Sequence, residues 1–441
     1  MKAFTLEHIK LFKTWQTRVL FGIILGYAAF YLLRQNFSVT MLALQQEFAF
    51  SKTHLGWILS AHALIYGFGK GIWGAFSDRS NARYFMVLGL VFAAFSNILM
   101  SFGNSLWYFI VLWSLNACFL SMGAPPCIRL LTRWFSQKEL ATKWAVWNSS
   151  HQIGAASAVV LASFLMLHFG WRAAFWGPAI LCLVLAGVLF FLLCDDPKSV
   201  GLPSVEEING FPAQDTKDSE NETSMKEILW DYVLKNPAVW MISLANLFYY
   251  VIRMGVLNWA PTFLAEVKGY NMQTSGSLTA VFDITGIFGG ILAGWICDRW
   301  FSTRRSYVIS GFVLLLGASI LGVWHMPAGH PLISSFYMML LGLFVSGPQI
   351  LIGVSAADFA SKKAAGAANG MTGTFGYIGA SLSGVGVGVL VESYGWSFAM
   401  SLFVGCSVLC AILSLLALKL ATNKQKTHQT LQELEDKTQV A

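Results

Sequence analysis

Two arginines stand inside apolar stretches at corresponding places in the two halves of this 441-residue chain. Arg34 lies in GYAAFYLLRQNF, and Arg253 lies 219 residues further on in LFYYVIRMGVLNWAPTF. A guanidinium group stays charged in proteins, and placing one at bilayer depth costs roughly 2.5–3.5 kcal/mol on insertion scales. Because arginine is a planar fork that binds oxyanions with two hydrogen bonds, the pair predicts one small anion held between the halves. The alternative is that each side chain snorkels outward or pairs with a buried acid.

Other polar side chains in neighbouring apolar stretches could complete such a site. His151 can bind an anion, although a packed core histidine is the ordinary alternative, and Asn148 shares its helical face. Lys70 could line the site or snorkel to the membrane surface. Asp283 is the clearest acid within an apolar stretch, and we expect it to pair with Arg253 or Lys70 when no anion is bound.

Several tyrosines could donate their phenol groups to the oxygens of an anion while their rings pack. Tyr27 and Tyr31 share one helical face with Arg34, and Tyr250 lies three residues before Arg253. The usual role of a membrane tyrosine is core packing or the interfacial aromatic belt. The candidates are Tyr27, Tyr31, Tyr66, Tyr250 and Tyr377.

The elements that carry these residues are predicted to be membrane-spanning helices. The chain is 56% hydrophobic and 12% charged, with a mean hydropathy of +0.60, which is too apolar for a soluble protein. Backbone groups in lipid must bond to one another, so runs of about 20 apolar residues predict helices and an all-α membrane protein. Twelve such runs are found, at about 18–41, 54–77, 84–103, 107–130, 144–167, 172–194, 238–260, 274–297, 306–325, 332–357, 366–391 and 396–420.

The distribution of charge indicates how the chain sits in a membrane. The net charge of +7 could suggest nucleic acid as a partner, but the Lys and Arg residues gather on the segments of one side. Only Lys52, Arg172 and Lys268 lie between spans on the other side. This asymmetry predicts a multi-pass membrane protein with both termini in the cytoplasm, and it argues against nucleic acid. No A-x-A cleavage pattern follows the first apolar run.

The chain divides into two halves that repeat one another. Residues 1–194 and 238–420 each hold six predicted spans, residues 195–237 form a polar linker, and residues 421–441 form a cytoplasmic tail. The stretch GAFSDRSNAR in the first half matches GWICDRWFSTRR in the second, and HQIGA matches GYIGA. Parallel repeats of six spans predict a binding site near the midplane, at the interface between the halves.

The repeated Asp-Arg loops are candidates for a cytoplasmic gate. An acid at the end of one helix can meet a helix N-terminus or a neighbouring arginine, and such contacts would break on opening. The alternative is that the loops are only sharp polar turns. The gating candidates are Asp78, Arg79, Arg83, Asp298 and Arg299.

These motifs resemble those of a known family. The G-x-x-x-D-R-x-x-x-R loop resembles the general signature of the major facilitator superfamily. The stretches GYAAFYLLRQNF, PPCIRLLTRWFSQKE, WNSSHQIG, RMGVLNWAPTFL and KKAAGAANGMTGTFGYIGAS are similar to those of the organophosphate:phosphate antiporters. SDRSNARYFM and NSLWYFIVLWSLNA are most similar to the sensor branch of that group. The resemblance implies two six-helix pseudo-symmetric bundles, the major facilitator fold.

The resemblance also implies roles for the candidate residues. Arg34 and Arg253 would bind the substrate phosphate, His151 would belong to the site, and Lys70 would line the translocation path. The matches further support Tyr27, Tyr31, Tyr66 and Tyr377 as pocket residues. The chain departs from the family where Gln35 replaces a common Lys, Asn258 replaces an Asp, Met254 or Ser346 replaces an aromatic, and Asp283 replaces a Glu.

The function expected on this basis is exchange of a sugar phosphate, hexose 6-phosphate in particular, for inorganic phosphate. Two guanidinium groups repel in an empty low-dielectric site, so the carrier should reorient faster when loaded with a dianion. One alternative is a hexose-phosphate sensor whose partner is a membrane histidine kinase, and another is a proton-coupled sugar or drug carrier. No GxxxxGK[ST] loop, nucleophile–base pattern or metal-ligand spacing is present among the 441 residues, so no enzyme, metal or cofactor is expected.

Overall fold

The computed structural model describes residues 6–208, 230, 233–301, 304–360 and 364–440. All regular secondary structure in these residues is helical, which confirms the predicted all-α membrane fold. In the first half the helices are α1 (Leu6–Leu32), α2 (Asn36–Phe48), α3 (Lys52–Arg79), α4 (Ala82–Met100), α5 (Leu106–Leu120), α6 (Ala124–Trp134), α7 (Gln137–Phe169) and α8 (Ala173–Leu192). A 3-10 helix at Pro197–Val200 and the short α9 (Val205–Ile208) follow. In the second half the helices are α10 (Pro237–Lys268), α11 (Met272–Trp300), α12 (Arg305–His325), α13 (Pro331–Ala360), α14 (Ala365–Tyr394) and α15 (Trp396–Val440).

Eleven helical stretches of the described residues are long and apolar enough to cross a bilayer. Two of them combine consecutive helices, α1 with α2 and α5 with α6. The predicted second span, α3, is not among the eleven, although its 28 residues would reach about 42 Å. Its lower hydropathy follows from polar residues such as His62 and Lys70, which face protein or a cavity rather than lipid. With α3 the described spans number twelve, six before the linker and six after it.

The first span departs from the prediction of one continuous helix over 18–41. Residues Leu33–Gln35 form a turn between α1 and α2, and both Arg34 N and Gln35 N donate to the carbonyl oxygen of Tyr31 at 3.1 Å. The fourth span is also interrupted, before the prolines that begin α6. Arg34 therefore lies in a helix break, whereas Arg253 lies within the continuous helix α10.

We call the side on which α1 begins and α3 ends the terminal side, and the side of the α2–α3 connection the far side. On the far side the first half of α3 lies against the second half of α14, and the bundles are in contact. Ser60 Oγ donates to the carbonyl oxygen of Ser381 at 2.5 Å and accepts from Val385 N at 2.8 Å. Two glycines allow this approach, because a Cβ on Gly56 would lie 2.6 Å from Gly384 O. The far side is therefore closed.

On the terminal side an acid at the end of the sixth span ties several helix ends together. Asp195 accepts from Ala82 N at 2.7 Å, from Arg133 at 2.8 Å and from Arg129 at 3.2 Å. Arg129 also donates to the carbonyl oxygen of Ser77 at 2.6 Å, near the end of α3. These bonds lie within the first bundle, so they fix its terminal end without joining it to the second bundle.

The predicted gating residues lie at helix ends on the terminal side. Asp78 and Arg79 end α3, Arg83 begins α4, and Asp298 and Arg299 lie in the last turn of α11. Arg79, Asp298 and Arg299 are exposed, the guanidinium of Arg83 lies over the Tyr84 and Phe190 rings, and the side chain of Asp78 lies outside what the structure describes. A role in closing the terminal side stays a prediction for all five.

Candidate functional site

A cavity of about 650 Å³ lies between the two bundles and extends toward the terminal side, where Arg129 and Arg133 line it. Spans from both halves contribute to its wall, as expected for a site at the interface of two repeats. Ten of the eleven predicted substrate-binding residues line it, and Asp283 does not. The ten are Tyr27, Tyr31, Arg34, Tyr66, Lys70, Asn148, His151, Tyr250, Arg253 and Tyr377.

The two arginines face this cavity with no carboxylate partner. Among the described residues, no Asp or Glu oxygen lies within the 4.0 Å of an ion pair from Arg34 or Arg253. Aromatic rings supply the surroundings of Arg34, whose guanidinium carbon lies 4.5 Å from the centroid of Tyr66 and 5.5 Å from that of Tyr31. Arg253 is 9% exposed. Two permanent charges thus face one cavity from opposite bundles, and neither forms an ion pair with a described carboxylate.

Lys70 adds a third cation to the same wall. Its ammonium nitrogen lies 5.4 Å from the centroid of Tyr377 and 5.7 Å from that of Tyr66. The side chain lines the cavity, so it does not reach the membrane surface by snorkelling, which was the open alternative. Cation–π contacts of this kind favour the charged form without neutralising it.

The tyrosines form a wall of touching rings that passes from one bundle to the other. Tyr66 and Tyr377 lie 5.4 Å apart between ring centroids, and Tyr377 lies 5.8 Å from Tyr250. On the first bundle, Tyr27 and Tyr31 make an edge-on contact at 5.4 Å. The rings therefore pack, as the ordinary alternative required, and they also border the cavity.

His151 presents one ring nitrogen with no hydrogen-bond partner. Its Nδ1 forms a short hydrogen bond with the carbonyl oxygen of Asn148, and this bond fixes the ring. Its Nε2 is buried and has no partner among the described residues. Because a carbonyl oxygen only accepts, Nδ1 carries the ring proton, and Nε2 of the neutral ring can accept a hydrogen bond from a ligand at the cavity wall.

Asp283 departs from the expected pairing. It is 7% exposed, and its Oδ2 is buried without a hydrogen-bond partner among the described residues. It forms no ion pair with Arg253 or Lys70 in this structure. The resemblance predicts glutamate at this place, and the aspartate of this chain is one methylene shorter.

Some residues at the cavity were missed. Trp144, Trp147 and Gln349 line it, and Trp147 lies 4.9 Å from Tyr27 between ring centroids. Trp147 stands in the WNSSHQIG motif and could have been found from it. Arg129 and Arg133 line the terminal-side end of the cavity and were not among the predicted substrate-binding residues.

Comparison with known proteins identifies the family of the chain. The model of the Major Facilitator Superfamily matches residues 23–384 and 274–439. The chain therefore belongs to the Major Facilitator Superfamily, a class of membrane transporters and not of enzymes, and within it to the organophosphate:phosphate antiporter branch.

Three relatives place the chain in that branch. It is 37% identical over 417 residues to the "Probable hexose phosphate transport protein" of Chlamydia trachomatis serovar D, covering 92% of this chain and 91% of the relative. It is 38% identical to the "Glycerol-3-phosphate transporter" of Bacillus subtilis, covering 95% of each. It is 36% identical to the "Membrane sensor protein UhpC" of Escherichia coli, covering 92% of each.

A solved structure shares the fold. The bacterial homolog of the human lysosomal transporter Spinster, in an inward-facing and unoccupied conformation, matches with a TM-score of 0.73 at 13% identity. The match covers 92% of this chain and 96% of that one. At this identity the similarity concerns the fold alone.

Proposed function

We propose that this protein exchanges a sugar phosphate, hexose 6-phosphate in particular, for inorganic phosphate across the inner membrane by alternating access. The observation that carries the proposal is the pair of unpartnered guanidinium groups, Arg34 and Arg253, facing one cavity from opposite bundles. A phosphate dianion placed between them would accept bidentate hydrogen bonds from both forks. Lys70 would bind a remaining oxygen of the same group, and His151 Nε2, the acceptor nitrogen of a ring whose Nδ1 donates to the Asn148 carbonyl, would accept a hydrogen bond from a hydroxyl group of the ligand.

The rest of the cavity suits a polar organic group attached to the phosphate. Aromatic faces such as Trp147 pack on the apolar faces of sugars, and Asn148 and Gln349 offer amide donors and acceptors to hydroxyl groups. The volume of about 650 Å³ leaves room for a hexose beside the phosphate. A relative that is 37% identical to this chain is named a probable hexose phosphate transport protein, and this name supports hexose phosphates as the substrate class.

Exchange follows from electrostatics. In the empty site the two guanidinium groups repel one another across a low-dielectric space, and this repulsion opposes their approach. A bound dianion neutralises them and draws the bundles together around it, so that the terminal side closes. The far-side contacts of α3 with α14 then break, and the cavity opens to the other side. The loaded carrier reorients faster than the empty one, which couples the two anions.

We further propose that both termini lie in the cytoplasm, so that the cavity of this structure opens to the cytoplasm. The support is the asymmetry of Lys and Arg residues between the two faces. Reporter proteins fused to either terminus test this orientation. A phosphatase that is active only outside the cytoplasm should be inactive, and a fluorescent protein that folds in the cytoplasm should be bright.

Proteoliposomes test the exchange. Vesicles preloaded with phosphate should take up labelled glucose 6-phosphate, and vesicles without internal phosphate should take up little. Arg34→Lys and Arg253→Lys should each lower exchange at least 100-fold, because an ammonium cannot reproduce the bidentate fork. The control is Arg18→Lys, in the same span as Arg34, whose guanidinium donates to the carbonyl of Phe191 away from the cavity. Uptake independent of internal phosphate would contradict obligate exchange.

A second candidate is a hexose-phosphate sensor that acts on a membrane histidine kinase. The 36% identity to a protein named a membrane sensor supports it. A sensor of this kind would bind glucose 6-phosphate in the same cavity, as calorimetry on the purified protein would detect. It would show slow or absent exchange in proteoliposomes, and it would change the phosphorylation of a co-reconstituted kinase.

A further inference from the structure

The break that carries Arg34 is held by buried amide side chains, none of which lines the cavity. A helix break inside a bilayer leaves backbone groups without helical partners, and each of these must be satisfied by protein. The carbonyl oxygen of Leu33, in the turn itself, accepts from Asn97 Nδ2 at 3.1 Å. Asn97 lies on α4 and is 0% exposed. A side chain from another span thus takes over the bond that a continuous helix would have supplied.

A second amide, Asn36, fixes the other end of the break. Its Nδ2 donates to Asn97 Oδ1 at 2.7 Å and to the carbonyl oxygen of Ala174 at 2.9 Å. The Ala174 carbonyl is free because the residue four positions later in α8 is Pro178, which has no N–H to donate. Asn36 is 0% exposed and begins α2, two residues after Arg34. The turn is therefore bonded at both ends to the body of the first bundle.

The two arginines are thus positioned by different means. Arg253 is held by the hydrogen bonds of the continuous helix α10, so its backbone position follows from the helix itself. Arg34 lies in a turn that is held by side-chain hydrogen bonds. Asn97 donates to the carbonyl oxygen of Leu33 in the turn, and Asn36 donates to Asn97. A misplacement of about 1 Å at a binding group can cost a large factor in binding or rate.

We infer that Asn97 and Asn36 are positioning residues for Arg34, setting where its guanidinium meets the phosphoryl group. This inference rests on the proposed function, because it gives Arg34 the role of a phosphate ligand. Neither asparagine lines the cavity. Their effect should therefore be the same for every ligand that shares the phosphoryl group, and it should appear in affinity more than in turnover.

Asn116 provides a matched control. It is also an asparagine with 0% exposure, and its Nδ2 donates to the carbonyl oxygen of Ala93 at 3.2 Å. Asn97 donates to that same carbonyl at 3.3 Å. Only Asn97 contacts the Leu33 carbonyl and Asn36. Removing the amide of Asn97 or of Asn116 deletes a buried hydrogen bond to the carbonyl oxygen of Ala93 in α4. Only the removal of the Asn97 amide also deletes the bond to the turn at Arg34.

The experiment compares wild type with Asn97→Ala and Asn116→Ala. For each protein, KM and kcat are measured for exchange of phosphate and of glucose 6-phosphate, and the Kd for inorganic phosphate is measured by calorimetry. Asn97→Ala should raise both KM values and the Kd by the same factor, about ten-fold, with kcat changed less than two-fold. Asn116→Ala should leave KM within two-fold of wild type. If Asn97→Ala does not fold, Asn36→Ala gives the same test, because it removes the bonds to Asn97 and Ala174.

The outcomes separate the two proposals. Wild-type protein that binds neither anion would overturn the proposed function, and this inference with it. Wild-type protein that binds both anions, while Asn97→Ala and Asn116→Ala change KM alike or not at all, would overturn the positioning role alone. A KM increase for only one of the two substrates would also overturn it, since Arg34 acts on their shared group.

Discussion

Lys52 at the start of α3 forms an ion pair with Glu266 near the end of α10, with 3.2 Å between the ammonium nitrogen and a carboxylate oxygen. The pair joins the two bundles on the far side. Trp396 Nε1 donates to the same carboxylate at 2.9 Å. The side chains of Lys52 and Glu266 are only 18% and 22% exposed, so water screens the pair partly. An interaction that exists only when the far side is closed biases the protein toward this state.

We predict that Lys52→Gln or Glu266→Gln shifts the population toward the state open on the far side. A partly exposed pair contributes about 0.5–1 kcal/mol, so the shift should be two- to five-fold. A cysteine introduced at Ser38, which lies in the closed region beyond Arg34, should then react faster with an impermeant maleimide added on the far side. The charge-reversed double variant Lys52→Glu/Glu266→Lys should restore slow labelling. Equal labelling in all variants would show that the pair does not bias the equilibrium.

A second prediction concerns the close approach of α3 and α14. In Gly384→Ala the new methyl group would lie 2.5 Å from Ser60 Oγ and 2.8 Å from Gly56 O, so the far side could not close as it does here. Exchange in proteoliposomes should fall at least ten-fold, because each cycle passes through this state. Gly386→Ala in the same helix is the control, since its Cβ would meet nothing within 4 Å. That substitution should keep wild-type exchange and stabilise the helix by up to about 1 kcal/mol.

The spans and the residues of the cavity could be predicted because both depend on residue type and periodicity. Arg34, Arg253 and Lys70 stood out since charges are costly in apolar helices, and that cost applies wherever the helices pack. The break at Arg34 could not be predicted, because its hydrogen bonds come from Asn97 and Asn36 and exist only after the spans assemble. No local proline or glycine marks the turn Leu33–Gln35.

The charged contacts were also hard to predict. Asp195 lies where the sequence predicts a linker, yet it bonds to Arg129, Arg133 and the start of α4. Sequence reasoning favoured Asp78 because its motif repeats, but repetition gives no information about which arginine an acid reaches. Asp283 shows the same limit, because its residue type predicted an ion pair with Arg253 or Lys70 that the structure does not contain.

A third prediction follows from the unpartnered carboxylate of Asp283. Ionising a buried carboxylate that has no partner is costly, so Asp283→Asn, which has the same shape and no charge, should leave the Kd for phosphate within two-fold of wild type. Calorimetric Kd values at two salt concentrations check this, because the two proteins should agree at both when neither side chain carries a charge for salt to screen. The substitution is isosteric and replaces a buried acid that has no partner, so the thermal midpoint should not fall. Weaker phosphate binding in Asp283→Asn would instead indicate that the acid orients Arg253.

The last prediction concerns the free ring nitrogen of His151. Because Nδ1 donates to the Asn148 carbonyl, Nε2 of the neutral ring is an acceptor, and it would accept a hydrogen bond from the P–OH group of inorganic phosphate. His151→Ala should raise KM for phosphate about ten-fold, the value of a hydrogen bond to a charged group, and should leave the fold intact. His151→Gln places an amide near the position of Nε2 and should recover much of that loss. The control is His168→Ala on the same helix, where the histidine is exposed and lies outside the cavity wall. If His151→Ala and His168→Ala have equal KM values, the nitrogen has no part in binding phosphate, and the site consists of its three cations and the tyrosine wall.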